Sequence, residues 1–427
     1  MTLTNIISAI GNNNSIYPLL VRDCGIEVPT KVILTNKQNK SDKDIAKLAT
    51  RERLVDEYTT SAVWLGMIPL LEKINNKIIK KRGFNPDIDV KLLKNCPVDG
   101  EIVQGLEYNI KKFKEKAPDA VKDLEFLQKN KAKYMKLLGG KVFIETAIPI
   151  ALMGFIIPKL IFAWTAKTKQ KIERKRAEEQ NKAKQNFTEL KYRTMDDFIS
   201  QNPSFKGSLI SNMAQMSTVQ KLATTDGGYA IGRVMTERNK NAAIDVGFKM
   251  AGMMFLNFVF PKMLEKFLDK TTAKLINTNL KPDIKMLADK DFINAIKNNT
   301  LNLPTAKTGK ELLKFVDNNP ENLFVQYANK YGKIKLLKNG TRDPRSYVDL
   351  KGLKNFRDNI AEIAQNASKT GNIENFMKKA KILKGANIIA NVGISSFLLA
   401  YALPKTQFAL RKLILKSELE PGIANQK

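Results

Sequence analysis

Two carboxylates stand where carboxylates are expensive. Glu145 lies just inside the most apolar run of the chain, Val142 to Trp164, and Asp245 just inside another, Ala242 to Phe260. Ionisable groups at membrane depth are costly, and when buried there they mark ion or proton paths. The plainer expectation sets both at headgroup level, with Asp245 paired to Lys249 one helical turn later. Asn391 is the polar residue at the matching place in a third run, Gly385 to Pro404. Asp56, Glu145 and Asn391 stand at the same distance before their segments' prolines.

Other chemistries are closed by composition. The chain has no histidine, so a Ser-His-Asp or Cys-His nucleophile cannot be built in the usual way and the commonest metal ligand is missing. Its two cysteines, Cys24 and Cys96, are far apart and lack Cys-x-x-Cys spacing. Carboxylates would have to complete any zinc site, and no metal or other cofactor is expected. One disulfide and two separate thiols both remain open. Gly227 to Arg233, GGYAIGR, has the glycine density of a phosphate loop, but no strand precedes it and the Walker spacing is absent. Thr308-Gly309-Lys310-Glu311 echoes the end of that motif without its upstream glycine, and Glu311 replaces the hydroxyl residue. Asp196-Asp197 reads as compensation of a helix dipole. The expectation is a non-enzymatic protein.

The elements that must position these residues are apolar helices. Val142 to Trp164 and Gly385 to Pro404 have the roughly 20 residues that a bilayer requires. Ala242 to Phe260 is apolar after Lys249, and Thr59 to Leu71 is too short to span, reading as a buried or interfacial helix. Each run ends in a proline: Pro69, Pro158, Pro261 and Pro404. Proline removes a backbone donor and clashes with the preceding turn, so a kink or an end is predicted at each. Lysine usually follows, and its ammonium can reach headgroups while its methylenes stay in apolar surroundings. A spanning helix passing into a basic in-plane helix, or a re-entrant hairpin, is the geometry implied. Pro69-Leu-Leu-Glu-Lys and Pro261-Lys-Met-Leu-Glu-Lys echo one another, as do Arg22-Asp23-Cys24-Gly25 and Thr225-Asp226-Gly227-Gly228, which suggests duplicated helix units. Small residues at four-residue spacing, Ala243, Gly247 and Ala251, Ala147 and Ala151, Ala386 and Ala390, suit close helix packing and self-association in lipid. Asn387, Asn391 and Ser395 form a polar stripe expected to bind a neighbouring helix.

Charge completes the picture. The 427 residues hold 72 Lys and Arg against 42 Asp and Glu, a net charge of +30, with 43% hydrophobic residues. That mixture folds rather than remaining disordered. Ala166 to Tyr192 reads as a basic solvated helix and the best candidate for a cytoplasmic anchor on anionic headgroups. Nucleic-acid binding through phosphates is the less favoured use of the same charge, because no nucleic-acid motif accompanies it. Met1 to Leu20 lacks the pattern of a cleaved signal peptide. Turn signals stand at Asn85-Pro86-Asp87, Pro97-Val98-Asp99-Gly100 and Lys338 to Pro344.

The fold class expected is all-α: a helical membrane-associated bundle with kinked apolar helices and basic amphipathic helices outside the bilayer. Four regions are anticipated: 1–134 with the short apolar helix 59–71; 135–270 with apolar helices 142–164 and 242–260; a soluble helical lobe over 271–383; and 384–427 with the last apolar helix and a basic tail. The functional expectation is a structural, scaffolding or membrane-interacting protein. Its alternatives are a transporter or channel component using intramembrane carboxylates, and a soluble basic helical protein that binds nucleic acid.

Overall fold

The computed structural model describes residues 2–13, 15–180 and 215–415. The molecule is all-α, 77% helical with 2% strand. Six long helices organise it: α1 (17–38), α2 (43–81), α3 (131–180), α4 (Thr218–Met235), α5 (240–276) and α6 (373–415). Local chemistry fixes several of their ends. Asp42 caps the start of α2 by accepting from the amides of Asp44 and Ile45, and Ser217 with Gln220 forms a reciprocal capping box on α4. Asn239 caps α5, which ends at Asn277 in the left-handed region, φ 50°.

Proline does not end these helices. Five of the six contain one wide π-type turn, at Val21–Glu27, Ala62–Met67, Leu152–Ile156, Phe255–Val259 and Leu398–Ala402. In every case a proline follows after one intervening residue: Pro29, Pro69, Pro158, Pro261 and Pro404. The carbonyl that a proline ring would strike lies four residues back, and here it always belongs to the π-turn. Wider winding moves that carbonyl aside, and the helix resumes. The expected passage into a separate in-plane helix therefore does not occur at Pro69, Pro158, Pro261 or Pro404. Pro29 is a fifth member that its polar surroundings conceal in the sequence.

Three helices are long and apolar enough to cross a membrane by length and composition: Lys131–Ala177, Lys240–Ile276 and Ile373–Ile414, whose best windows have mean hydropathy 1.9, 1.4 and 1.6. They contain the runs 142–164, 242–260 and 385–404. Thr59 to Leu71 lies around the π-turn of α2.

The chain divides into two compact units, neither a continuous stretch: Met1–Pro18, Glu72–Lys141 and Val259–Ile394 form one, and Leu19–Leu71, Val142–Phe258 and Ser395–Lys427 the other. The first has a conventional core, centred on Phe292, Leu312, Phe324, Leu353, Ile360 and Ile363, all fully buried. Arg342, also buried, donates to Asp317 at 2.7 Å and lies 4.8 Å from the Phe113 ring centre. A small hairpin, β1 (Cys96–Val98) with β2 (Glu101–Gln104), turns at Asp99 and Gly100, both with positive φ (51° and 80°). That is the Asp-Gly signature of a tight hairpin. Leu336 and Arg342 form an isolated antiparallel bridge around Gly340, the turn anticipated over 338–344.

The second unit packs on glycine. Gly227 to Gly232 is no loop but the middle of α4, and a Cβ at Gly232 would stand 3.1 Å from the Cα of Gly154 in the π-turn of α3. Trp64 of α2 donates its indole N–H to the Leu222 carbonyl of α4 at 3.2 Å and meets Phe258 edge-on at 6.2 Å. Gly252 of α5 similarly admits Leu403 of α6. Residues of the basic stretch up to 180 continue α3, and Arg176 there grips Asp42 and Asp44 at the start of α2. That guanidinium holds the Asp42 carboxyl down to about 2. The remainder of that stretch, with Asp196 and Asp197, lies outside the described residues.

Replacing Gly232 with alanine should force backbone apart at the Gly154 crossing and cost about 1–3 kcal/mol. Gly140, with nothing within 4 Å of its virtual Cβ, should accept alanine with a gain of up to ~1 kcal/mol from helix propensity alone. Thermal unfolding of the purified protein reads both; equal effects would remove the close crossing as the reason for Gly232.

Candidate functional site

The second unit encloses a large set of charged side chains. Each helix carries them in steps of one turn. Asp23, Glu27 and Lys31 are buried on α1, and Asp56, Glu57 and Ser61 on α2. On α4 the buried stripe is Lys221, Thr225, Asp226, Tyr229 and Arg233; on α5 it is Asp245 and Lys249; on α6, Gln407 and Arg411. Residues three or four apart share a helix face, so these stripes converge.

Four groups of contacts result. Glu145 of α3, fully buried, accepts from Lys221 of α4 at 2.8 Å. Arg233 of α4 donates to Asp56 of α2 at 2.8 Å and sits 3.3 Å from Glu237; its guanidinium lies 5.0 Å from the Phe162 ring centre. Arg238 shares that ring at 4.2 Å and pairs with Glu52 at 2.7 Å. Glu57 collects Lys249 at 2.6 Å, Arg53 at 3.2 Å and Lys31 at 3.8 Å, while Lys31 also bonds Glu27. Asp245 receives the guanidinium of Arg411 on both oxygens, at 3.1 and 2.7 Å, and the Gln407 amide at 2.7 Å.

The residues singled out in the sequence fare differently. Glu145 and Asp245 are 0% and 7% exposed, inside the unit rather than on its outer face. The expected Asp245–Lys249 pair gives way, because the forked guanidinium of Arg411 fits a carboxylate better than an ammonium on the same helix; Lys249 turns to Glu57. Asn391 belongs to the other unit, where it donates to the Pro261 carbonyl at 2.9 Å. Asn387 beside it bonds Asp269 and Thr272, so the stripe joins α6 to α5. Cys24 and Cys96 are both free thiols. Reading by composition missed Glu27, Lys31, Glu57, Arg233 and Arg411. Their signal was the four-residue step of charges, as in Lys221, Thr225, Tyr229 and Arg233.

Between these helices lies a cavity of about 40 Å³, lined by Glu52, Arg53, Asp56, Phe162, Arg233, Glu237, Arg238, Asp245 and Lys249 among others. That is room for about three waters. Among the described residues no group of carboxylates and thiols is arranged to hold a metal ion. The site brings acids and bases of several helices around a space that can hold water.

Breaking one buried pair leaves its partner uncompensated, at about 3–5 kcal/mol, whereas removing both charges is close to neutral. Glu145→Gln and Lys221→Met should each lower thermal stability sharply, and the double variant should recover most of the loss. Additive losses in a double-mutant cycle would show that the pair is not coupled. Comparison of the chain with protein-family models, with curated proteins and with solved structures finds no match.

Proposed function

We propose that this chain is an integral membrane protein, non-enzymatic, that moves a small ion through the charged interior of its second unit. The observation that carries the reading is the inverted distribution of polarity. Only 39%, 33% and 44% of the three apolar windows are buried. Phe143, Leu160, Phe255, Ile389 and Phe397 present large apolar surface outward at 46–66% exposure. Glu145, Asp226, Asp245 and Lys249 are meanwhile shut inside. Large apolar side chains exposed along helices of bilayer length are accommodated by lipid as solvent.

The ion-moving part rests on the cavity. Eight of the thirteen residues that line it carry charge, a costly choice that bilayer proteins reserve for ion and substrate paths. The five π-turns supply places where a helix can change its winding locally. A second reading, a self-associating scaffold, draws on Ala151, Ala251 and Ala386, which are exposed small residues on apolar helices. The exposed lysines that follow the prolines within these helices, Lys159, Lys262 and Lys405, suit anionic headgroups under either reading.

Alkaline carbonate and high-salt washes of membranes from expressing cells should both leave the protein in the pellet. Release by salt alone would overturn membrane insertion and favour a peripheral, lysine-held protein or one bound to nucleic acid. In phosphatidylcholine–phosphatidylglycerol vesicles carrying the purified chain, an imposed ion gradient should dissipate at least tenfold faster than in empty vesicles. Dissipation no faster than in empty vesicles, with the protein inserted, would leave the scaffold reading.

A further inference from the structure

Arg233 of α4 and Asp56 of α2 meet through a single bond, Nη2 to Oδ2 at 2.8 Å. A forked pair engages both ends of each group, as Arg411 and Asp245 do at 3.1 and 2.7 Å. Here Arg233 Nη1 and Asp56 Oδ1 are buried with no protein partner. Glu237 Oε1 stands 3.3 Å from Arg233 Nε without an aligned hydrogen bond, and it too is buried. The three side chains are 6–7% exposed, and all three line the cavity of the second unit.

These atoms make one set, a donor N–H and two acceptor oxygens around a space of about 40 Å³. A buried polar atom left without a partner costs free energy, so a small ligand that meets all three is favoured. A bare cation would suit Asp56 and Glu237 but face the guanidinium of Arg233 as a like charge. A halide would reverse the conflict, suiting Arg233 and facing two carboxylates. Across the whole lining four bases stand against four acids, so the walls favour neither sign. Water matches the pattern, because it accepts from Nη1 and donates to both oxygens. A buried water ordinarily makes about three hydrogen bonds to groups of this kind.

The lining also has an outer and an inner part. Arg238, Arg53 and Glu52 are 19%, 13% and 12% exposed, against 4–7% for the other five charged side chains. Arg238, on the turn between α4 and α5, pairs with Glu52 at 2.7 Å and covers the Phe162 ring at 4.2 Å. That pair marks the side on which the cavity meets solvent. We propose that the cavity is a water-binding site, filled past the Arg238–Glu52 pair and anchored by Arg233 Nη1, Asp56 Oδ1 and Glu237 Oε1. The site goes beyond the transport reading and does not rest on it; if ions cross this unit, these waters are the polar medium they meet.

The test is hydroxyl-radical footprinting of the full chain in phosphatidylcholine–phosphatidylglycerol vesicles, with radicals made from water by a short X-ray pulse. Radicals formed from a bound water mark the side chains beside it, buried or not. Phe162 and Met250 line the cavity at 8% and 3% exposure. Phe408 and Met153, at 8% and 0% in the same unit, do not line it and serve as controls. Met250 should be oxidised about tenfold faster than Met153, and Phe162 about tenfold faster than Phe408. Ala242→Leu fills the cavity from its wall and should bring both rates down to the controls; Ala49→Val does the same if the first variant does not fold. Parent rates no higher than the controls overturn the proposal, as do rates that a folded filling variant leaves unchanged. Replacing potassium chloride with choline gluconate should change nothing; a severalfold rise in labelling would identify a small ion as the occupant and overturn the water site. Ion flux in the same vesicles keeps the two readings apart. A labelled cavity without flux sinks transport and leaves the water site, whereas flux with Phe162 and Met250 at control rates sinks the water site and leaves transport.

Discussion

Glu57 is the point on which the second unit turns. It gathers Lys31 from α1, Arg53 from its own helix and Lys249 from α5 into one buried cluster. In low dielectric such attraction is strong, yet it scarcely exceeds the cost of stripping water from the ions. Its structural force is negative: any arrangement that separates these groups leaves a bare charge inside, at several kcal/mol each. Apolar helices by themselves could rotate or slide against one another with little penalty, since one lipid-like surface packs much as another does. The charges fix which face of each helix points inward, and with it the register of α1, α2, α4, α5 and α6.

That demand for register explains why the wide turns matter. A π-turn adds a residue to one turn and so rotates the face that follows relative to the face before it. In α1 the turn itself carries Asp23 and Glu27, and Lys31 lies just beyond Pro29, so the polar stripe stays on one side across the change of winding. In α3 the turn places Gly154 against Gly232, where any side chain would hold the helices apart. The proline after each turn makes ordinary winding unfavourable at that one place. Helix, proline and inward charge are thus parts of one device, repeated five times with different side chains.

Much of this was legible in the sequence, for identifiable reasons. Apolar runs of bilayer length and the scarcity of alternating strands point to long helices, and Asp99-Gly100 announces a turn because only a few residues tolerate positive φ. Glu145 and Asp245 stand out because an acid in an apolar run is rare. Their partners do not stand out, because Lys221 and Arg411 lie in mixed text where a base is ordinary. Nor can one sequence show that Arg411, 166 residues after Asp245, out-competes Lys249 four residues away. Local pairing is inexpensive in entropy but geometrically poor here, and long-range pairing is decided by which helices pack together. The prolines were visible and their consequence was not: the ring's clash predicts a break, and only the backbone shows that a wider turn absorbs it.

The net charge of +30 and the buried network are separate matters. Among the described residues of the second unit, the fully buried ionisable groups are six bases, from Arg22 to Arg411, and seven acids, from Asp23 to Asp245. The interior is therefore close to neutral, and the large excess of lysine lies on the outside. An exterior of that kind sets up a positive field that salt weakens within about 10 Å. The interior is screened far less than the surface, so its balance must be met atom by atom. Genome composition can multiply lysines on a surface at small cost. It cannot place Lys31, Lys249 and Arg411 opposite carboxylates on other helices, and those placements are where selection on this fold must act.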